Sequence, residues 1–171
     1  TTKSAKFSSG LTEDRRKGLM RRADKQIENP DEVLALLRKA TVCRLAMVHH
    51  GRPYLVPVNF AFKEKVLYFH SARAGAKVEA LRENPQVCFE VDFEDGIVKG
   101  KTACSWGTVY RSVVGFGQAF FISDRAGKIE ALNILMEKFS GDVVQSYSEE
   151  ALDKVLVIGI NVESITGKKS G

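Results

Sequence analysis

Residues 41–70 read TVCRLAMVHHGRPYLVPVNFAFKEKVLYFH, and the shortness of the breaks in this run is what most restricts the fold. TVCRLAMV (41–48), PYLVPVNFAF (53–62) and VLYFH (66–70) are rich in β-branched and aromatic residues. The second alternates, with Tyr54, Val56, Val58, Phe60 and Phe62 on one face. Only His49-His50-Gly51-Arg52 separates the first pair of runs, and only Lys63-Glu64-Lys65 the second. Breaks of that length reverse a chain. They cannot return it to a parallel start, which takes a dozen residues or more.

The remaining chain extends the pattern. Asn29 can cap a helix that has Pro30 at its first position and Asp31 and Glu32 in its first turn, running to about Lys39. A second helix is expected at about 76–84, stopped by Asn84-Pro85. QVCFEVD (86–92) reads as a strand, 93–105 as a loop, and TVYRSVVGFGQAFFI (108–122) as one long strand that Gly115 and Gly117 allow to bend. Ser123-Asp124 caps a helix with Ile129, Leu132, Met136 and Phe139 at helical spacing, and KVLVIGINVESITG (154–167) is the last strand. The expected fold class is mainly β: an antiparallel barrel with peripheral helices, as one domain over 21–171 behind an irregular basic leader at 1–20.

The net charge of +5 is uneven. Residues 1–28 hold eight Lys or Arg against four Asp or Glu, and Lys168 and Lys169 sit at the other end. A nucleic-acid binder carries its basic residues on a folded face; here they mark solvated ends or a weak anion-binding arm. There is no apolar run of membrane-spanning length and no signal-peptide pattern. Cys43, Cys88 and Cys104 are too scattered for a disulfide framework, which points to the cytoplasm. The three histidines and three cysteines have no metal-ligand spacing, so no metal site is expected. His49 and His50 read as turn residues.

YFHSARAGAK (68–77) concentrates chemistry at one corner. Tyr68 and His70 share a strand face. Ser71 then offers a hydroxyl, Gly75 permits unusual backbone geometry, and Lys77 lies in the first turn of the next helix. A hydroxyl, free helix amides and an ammonium suit a phosphate. The same features also fit a plain strand-to-helix turn with a solvent lysine. Lys77 is followed by Val78 and the glycine spacing of a Walker A loop is missing.

Four stretches taken in order, RRADKQIENPDEVLALLRKATVCRLAMV, GRPYLVPVNF, LYFHSARAGAKVEALRENPQVCFEVD and WGTVYRSVVGFGQA, resemble the FMN-binding split-barrel family. The similar branch is that of the pyridoxamine 5′-phosphate oxidase-related proteins that includes nitroimidazole-resistance reductases. The resemblance spans about 20–167. It implies a six-stranded antiparallel split β-barrel that forms a homodimer, with FMN in two clefts at the subunit interface.

By that resemblance Ser71 and Lys77 hold the FMN phosphate, Ala72 belongs to the cofactor site, and Pro57, Val58, Asn59 and Phe60 lie along the flavin ring. His70 stands beside the flavin as the candidate catalytic residue, or is a hydrogen-bonded structural histidine. Tyr110, Arg111, Ser112 and Val113 reach the cofactor, although Arg111 could instead pair with a surface carboxylate. Trp106 walls the cleft or fills the core. The chain ends ITGKKSG with no arginine after Arg125, so the vitamin B6 reaction itself is not expected. The implied function is an FMN-dependent oxidoreductase that reduces a small electrophilic acceptor with electrons from NADH or NADPH. The alternatives are a carrier of FMN or haem and, from the basic leader, a polyanion-binding module.

Overall fold

In the structure, a computed structural model, residues 22–142 and 146–171 are described; the expected leader at 1–20 lies outside them. Seven strands form one antiparallel sheet: β1 (Val42–His49), β2 (Arg52–Asn59), β3 (Ala61–Lys63), β4 (Val66–Ala72), β5 (Gln86–Val98), β6 (Gly107–Ile122) and β7 (Val155–Ser170). Their order is β2-β1-β5-β6-β7-β4-β3. Four helices, α1 (Pro30–Lys39), α2 (Ala76–Glu83), α3 (Arg125–Ser140) and α4 (Glu149–Lys154), pack around it. Among the described residues no helix is long and apolar enough to cross a membrane.

The expected six-stranded barrel is thus corrected to seven strands in a ladder that does not close. The expected strand 53–62 breaks at Phe60, which donates its backbone N–H to the Thr41 carbonyl and buries its ring completely. β2 and β3 end up on opposite edges of the sheet. One residue joins them, and successive Cα atoms are only about 3.8 Å apart. The two edges must therefore meet, and the sheet curls around its core without hydrogen bonds across the seam. The core inside the curl includes Leu37, Leu45, Leu67, Phe69, Phe89, Val113, Ile158 and Ile160, with no buried polar residue among those described.

Other expectations shift for local reasons. The loop expected at 93–105 is mostly strand: β5 continues to Val98, and a bulge between Glu94 and Gly96 lets the acidic stretch stay in register with β6. Gly96 sits there at φ +137. β6 bends as expected, with a register shift at Phe116/Gly117. The buried face of α3 is Ala131, Ile134 and Leu135, whereas Phe139 is exposed. α4 is an unexpected helix of six residues, capped by Ser148 and buried only at Leu152, too short for periodicity to reveal. The last strand runs on to Ser170, so Lys168 and Lys169 are paired residues and not a loose end. Lys169 also meets Glu32 at 3.0 Å.

Two glycines face phenylalanines across the ladder, Gly115 opposite Phe89 and Gly159 opposite Phe120. A Cβ on Gly115 would lie 2.1 Å from Phe89 Cζ, and Phe89 is fully buried and cannot swing away. Gly115→Ala is expected to cost about 1–3 kcal/mol through overpacking. At about 2–4 °C per kcal/mol for a domain of this size, the melting temperature should fall by about 2–12 °C. A thermal melt followed by circular dichroism measures it.

Candidate functional site

The corner between β4 and α2 carries the convergence. α1, α3 and α4 each begin with a side chain that accepts a backbone N–H: Asn29 from Asp31, Asp124 from Gly127, Ser148 from Ala151. α2 has none. Gly75 precedes it at φ +123, a conformation closed to other residues at little cost, and brings no capping atom. The first amides of α2 are left facing outward with the positive end of the helix dipole. Among the described residues the Ser71 hydroxyl has no hydrogen bond and the Lys77 ammonium no carboxylate partner. His70, Ser71, Ala72, Gly75 and Lys77 line one groove of about 500 Å³.

The electrostatics follow from crowding. Burial lowers the pKa of Lys77, whose ammonium lies 5.6 Å from the centroid of the buried Phe69 ring. His70 is also lowered from the ordinary histidine value, chiefly by loss of solvent and secondarily by the Lys77 charge. No hydrogen bond holds the His70 ring among the described residues, which leaves the structural-histidine alternative without a partner. The groove thus presents a cation beside an imidazole that is harder to protonate than usual, together with free N–H donors.

Sequence reasoning missed Tyr54 and Val155, which complete the groove walls. Strand alternation put Tyr54 on the inward face of β2. Nothing local indicated that Tyr54 would reach the β4–α2 corner. A larger surface depression of about 610 Å³ over α3 gathers Lys63, Arg125, Glu130 and Asn133. Arg125 there is tied to Glu149 at 2.6 Å, and Glu130 and Glu137 add carboxylates to the same depression, which suits an anion less well.

The other expected site residues are distributed differently. Val58, Phe60 and Val113 are in the core. Pro57 and Asn59 are exposed on the edge strand β2. Tyr110, Arg111 and Ser112 are half-buried on β6. Arg111 pairs with Asp95 through two hydrogen bonds of 2.9 Å, realising the surface-carboxylate alternative. Trp106 is 52% exposed and is no core filler. His70 pairs with Val157, and Val157 with Ile122 near the end of β6. Tyr110–Val113 sit near the opposite end of that strand, roughly 30–40 Å along it at about 3.3 Å per residue. One chain does not bring them to its own groove.

The family model described as pyridoxamine 5′-phosphate oxidase matches residues 29–169. A candidate 5-nitroimidazole antibiotic resistance protein from Bacteroides thetaiotaomicron VPI-5482 is 33% identical over 84% of this chain and 85% of that one, with a TM-score of 0.73. A FAD-binding protein from Mesorhizobium loti is 25% identical over 86% of this chain and 98% of that one, at TM-score 0.63. A FAD and heme binding protein from Mycobacterium smegmatis covers 85% of this chain and 73% of its own, at 22% identity and TM-score 0.77, a likeness of fold. No curated protein sequence matches significantly.

The His70 shift has a checkable sign. A histidine whose pKa is lowered on folding is harder to protonate folded than unfolded, so its neutral form contributes nothing at high pH and acid destabilises the fold below the ordinary value. Removing the neighbouring cation in Lys77→Met should raise the His70 midpoint, though not fully, because burial remains. An NMR titration of the imidazole protons follows both; an unchanged midpoint would place Lys77 too far away to matter.

Proposed function

The chain belongs to the pyridoxamine 5′-phosphate oxidase family, and from that premise we propose that it is a flavoprotein holding FMN by its phosphate at the β4–α2 corner. In this reading it is an oxidoreductase that passes electrons from NADH or NADPH to a small electrophilic acceptor of the nitroaromatic kind. One observation carries the reading: the uncapped N-terminus of α2, the unpartnered Ser71 hydroxyl and the unpaired Lys77 ammonium line the same groove. These donors fit a phosphate dianion, since amides and hydroxyl point at it while the ammonium balances its charge.

A bound flavin supplies the redox chemistry. The chain's own residues bind and orient. Ser71 and Ala72 would lie against the phosphate, and Tyr54 would close the groove. Exposed backbone on β2 at Pro57 and Asn59 would accept hydrogen bonds from the flavin ring. His70, lining the groove with its pKa lowered, would orient the acceptor or relay a proton to it. The names of the similar proteins from Bacteroides thetaiotaomicron and Mesorhizobium loti support the nitroimidazole and flavin parts of the reading.

A second copy of the chain completes the proposal. Tyr110, Arg111, Ser112 and Trp106 lie far from their own chain's groove, so a homodimer is the way they would reach a flavin, while Val113 stays in the core of its own chain. Exposed Val42, Val48 and Leu55 on β1 and β2, with Ile97, Val98 and Trp106 on the β5–β6 hairpin, supply apolar surface for it. That surface is not on β6, which exposes no large apolar residue among those described.

The purified protein should be yellow, with FMN released on denaturation and identified by mass spectrometry. Lys77→Ala should weaken FMN binding about ten- to a hundredfold, since a charge-assisted hydrogen bond is worth roughly 1.5–3 kcal/mol, and leave riboflavin binding nearly unchanged. Equal loss for both ligands would mean that Lys77 acts through the fold. His70→Ala should keep flavin occupancy within a few-fold and slow acceptor reduction by about a hundredfold. Loss of occupancy and of melting temperature, at unchanged turnover per flavin, would make it structural. Sedimentation should give a dimer at micromolar concentration; a stable monomer there would remove the shared-site arrangement.

A further inference from the structure

We propose that His49, His50 and Glu79 form a binding site for one divalent transition-metal cation of the zinc or nickel class. The site lies at the β1–β2 turn, outside the groove. Spacing among histidines and cysteines gave no hint of it, because the third ligand comes from α2.

The turn builds the site. Successive residues of a strand point to opposite faces. His50 breaks that alternation: it stands at φ +49 and Gly51 at φ +73, both left-handed, as a two-residue hairpin turn of the primed kind requires. Asparagine, aspartate and glycine are the usual choices there, and histidine is a less common one. The consequence is that the His49 and His50 rings come together, with centroids 4.0 Å apart. α2 packs against β1 and brings Glu79 to the same point. One ligand atom from each of the three residues lies within 4.8 Å of the other two.

The His49–Glu79 separation is that of two ligands on one ion, and His50 lies within 4.8 Å of both. Ligands at about 2.0–2.2 Å from a tetrahedral zinc are about 3.4 Å from one another. His49 Nε2 lies 3.4 Å from a Glu79 carboxylate oxygen. That is close enough for an ion pair, yet its alignment makes no hydrogen bond, and Nε2 is buried with no other partner. A buried imidazole nitrogen left unbonded is rare and unfavourable. A cation between it and the carboxylate removes the defect. Water can fill the fourth position of the ion, and Glu83, 3.9 Å from His50 Nδ1, adds negative charge beside the site. His50, Glu79 and Glu83 are exposed, so a hydrated ion has an entry path. Two imidazoles with carboxylate favour zinc, nickel, cobalt or copper over magnesium or calcium, which take all-oxygen sets.

The test is isothermal titration of the tag-free, chelator-treated full chain with Zn²⁺, and separately with Mg²⁺. The expected result is one Zn²⁺ per chain at micromolar affinity or better, uncompeted by millimolar Mg²⁺, with a raised melting temperature. His50→Asn keeps a residue that tolerates the left-handed turn, and Glu79→Gln keeps the size of the side chain. Each should weaken Zn²⁺ binding at least tenfold while leaving the circular dichroism spectrum unchanged. Absence of saturable one-to-one binding in the wild-type chain would overturn the site, and so would unchanged affinity in both variants.

Discussion

Phe60 is the residue on which the sheet's curvature turns. It is the sole residue between two strands that lie at opposite edges of a seven-strand ladder. Three contacts fix it. Its N–H reaches the Thr41 carbonyl at the entrance to β1. Its ring is sealed in the core. The Lys138 ammonium from α3 stands 3.9 Å from the ring centroid and also donates to the Ala40 carbonyl at the end of α1. Enclosure there brings the Lys138 pKa down to about 8. One aromatic residue thereby ties α1, β1, α3 and both edges of the sheet, and the β4–α2 corner acquires its lid, Tyr54, only because the sheet is curled.

Much of this was legible in the sequence where the information is local. Asn29-Pro30 marks the start of α1, Asp124 the start of α3, and the expected turns at 49–52 and 63–65 are present, with His50, Gly51, Glu64 and Lys65 at positive φ. The donors of the β4–α2 corner were legible too, because Ser71, Gly75 and Lys77 lie within seven residues and one loop positions all three. What the sequence hid depends on distant partners. The continuation of β5 through Glu94, Asp95 and Gly96 is decided by its pairing with 107–110, not by its own composition. The separation of Tyr110–Val113 from His70 depends on strand order, which alternation does not encode. The meeting of Glu79 with His49 depends on how α2 packs.

α2 links the two candidate sites. Its N-terminus faces the groove, and its outer side carries Glu79 and Glu83 toward the β1–β2 turn. Tyr54 touches both regions, lining the groove while its ring centroid lies 5.9 Å from that of His49. Eight residues of helix therefore present positive character at one end and carboxylates along one side. The short element is held in place by Val78, Ala80 and Leu81 in the core.

The edge strand β2 contains Pro53 and Pro57, four residues apart. A proline in a sheet is tolerated where its missing N–H would have pointed away from the neighbouring strand. Residues 53, 55, 57 and 59 therefore turn their backbone outward, and two of these four positions lack a donor. An intruding strand from another molecule needs donors and acceptors in alternation, and along this edge it meets acceptors with half the donors deleted. The border is thus poor at templating aggregation. It still offers carbonyl oxygens to any small planar molecule with N–H groups along its rim.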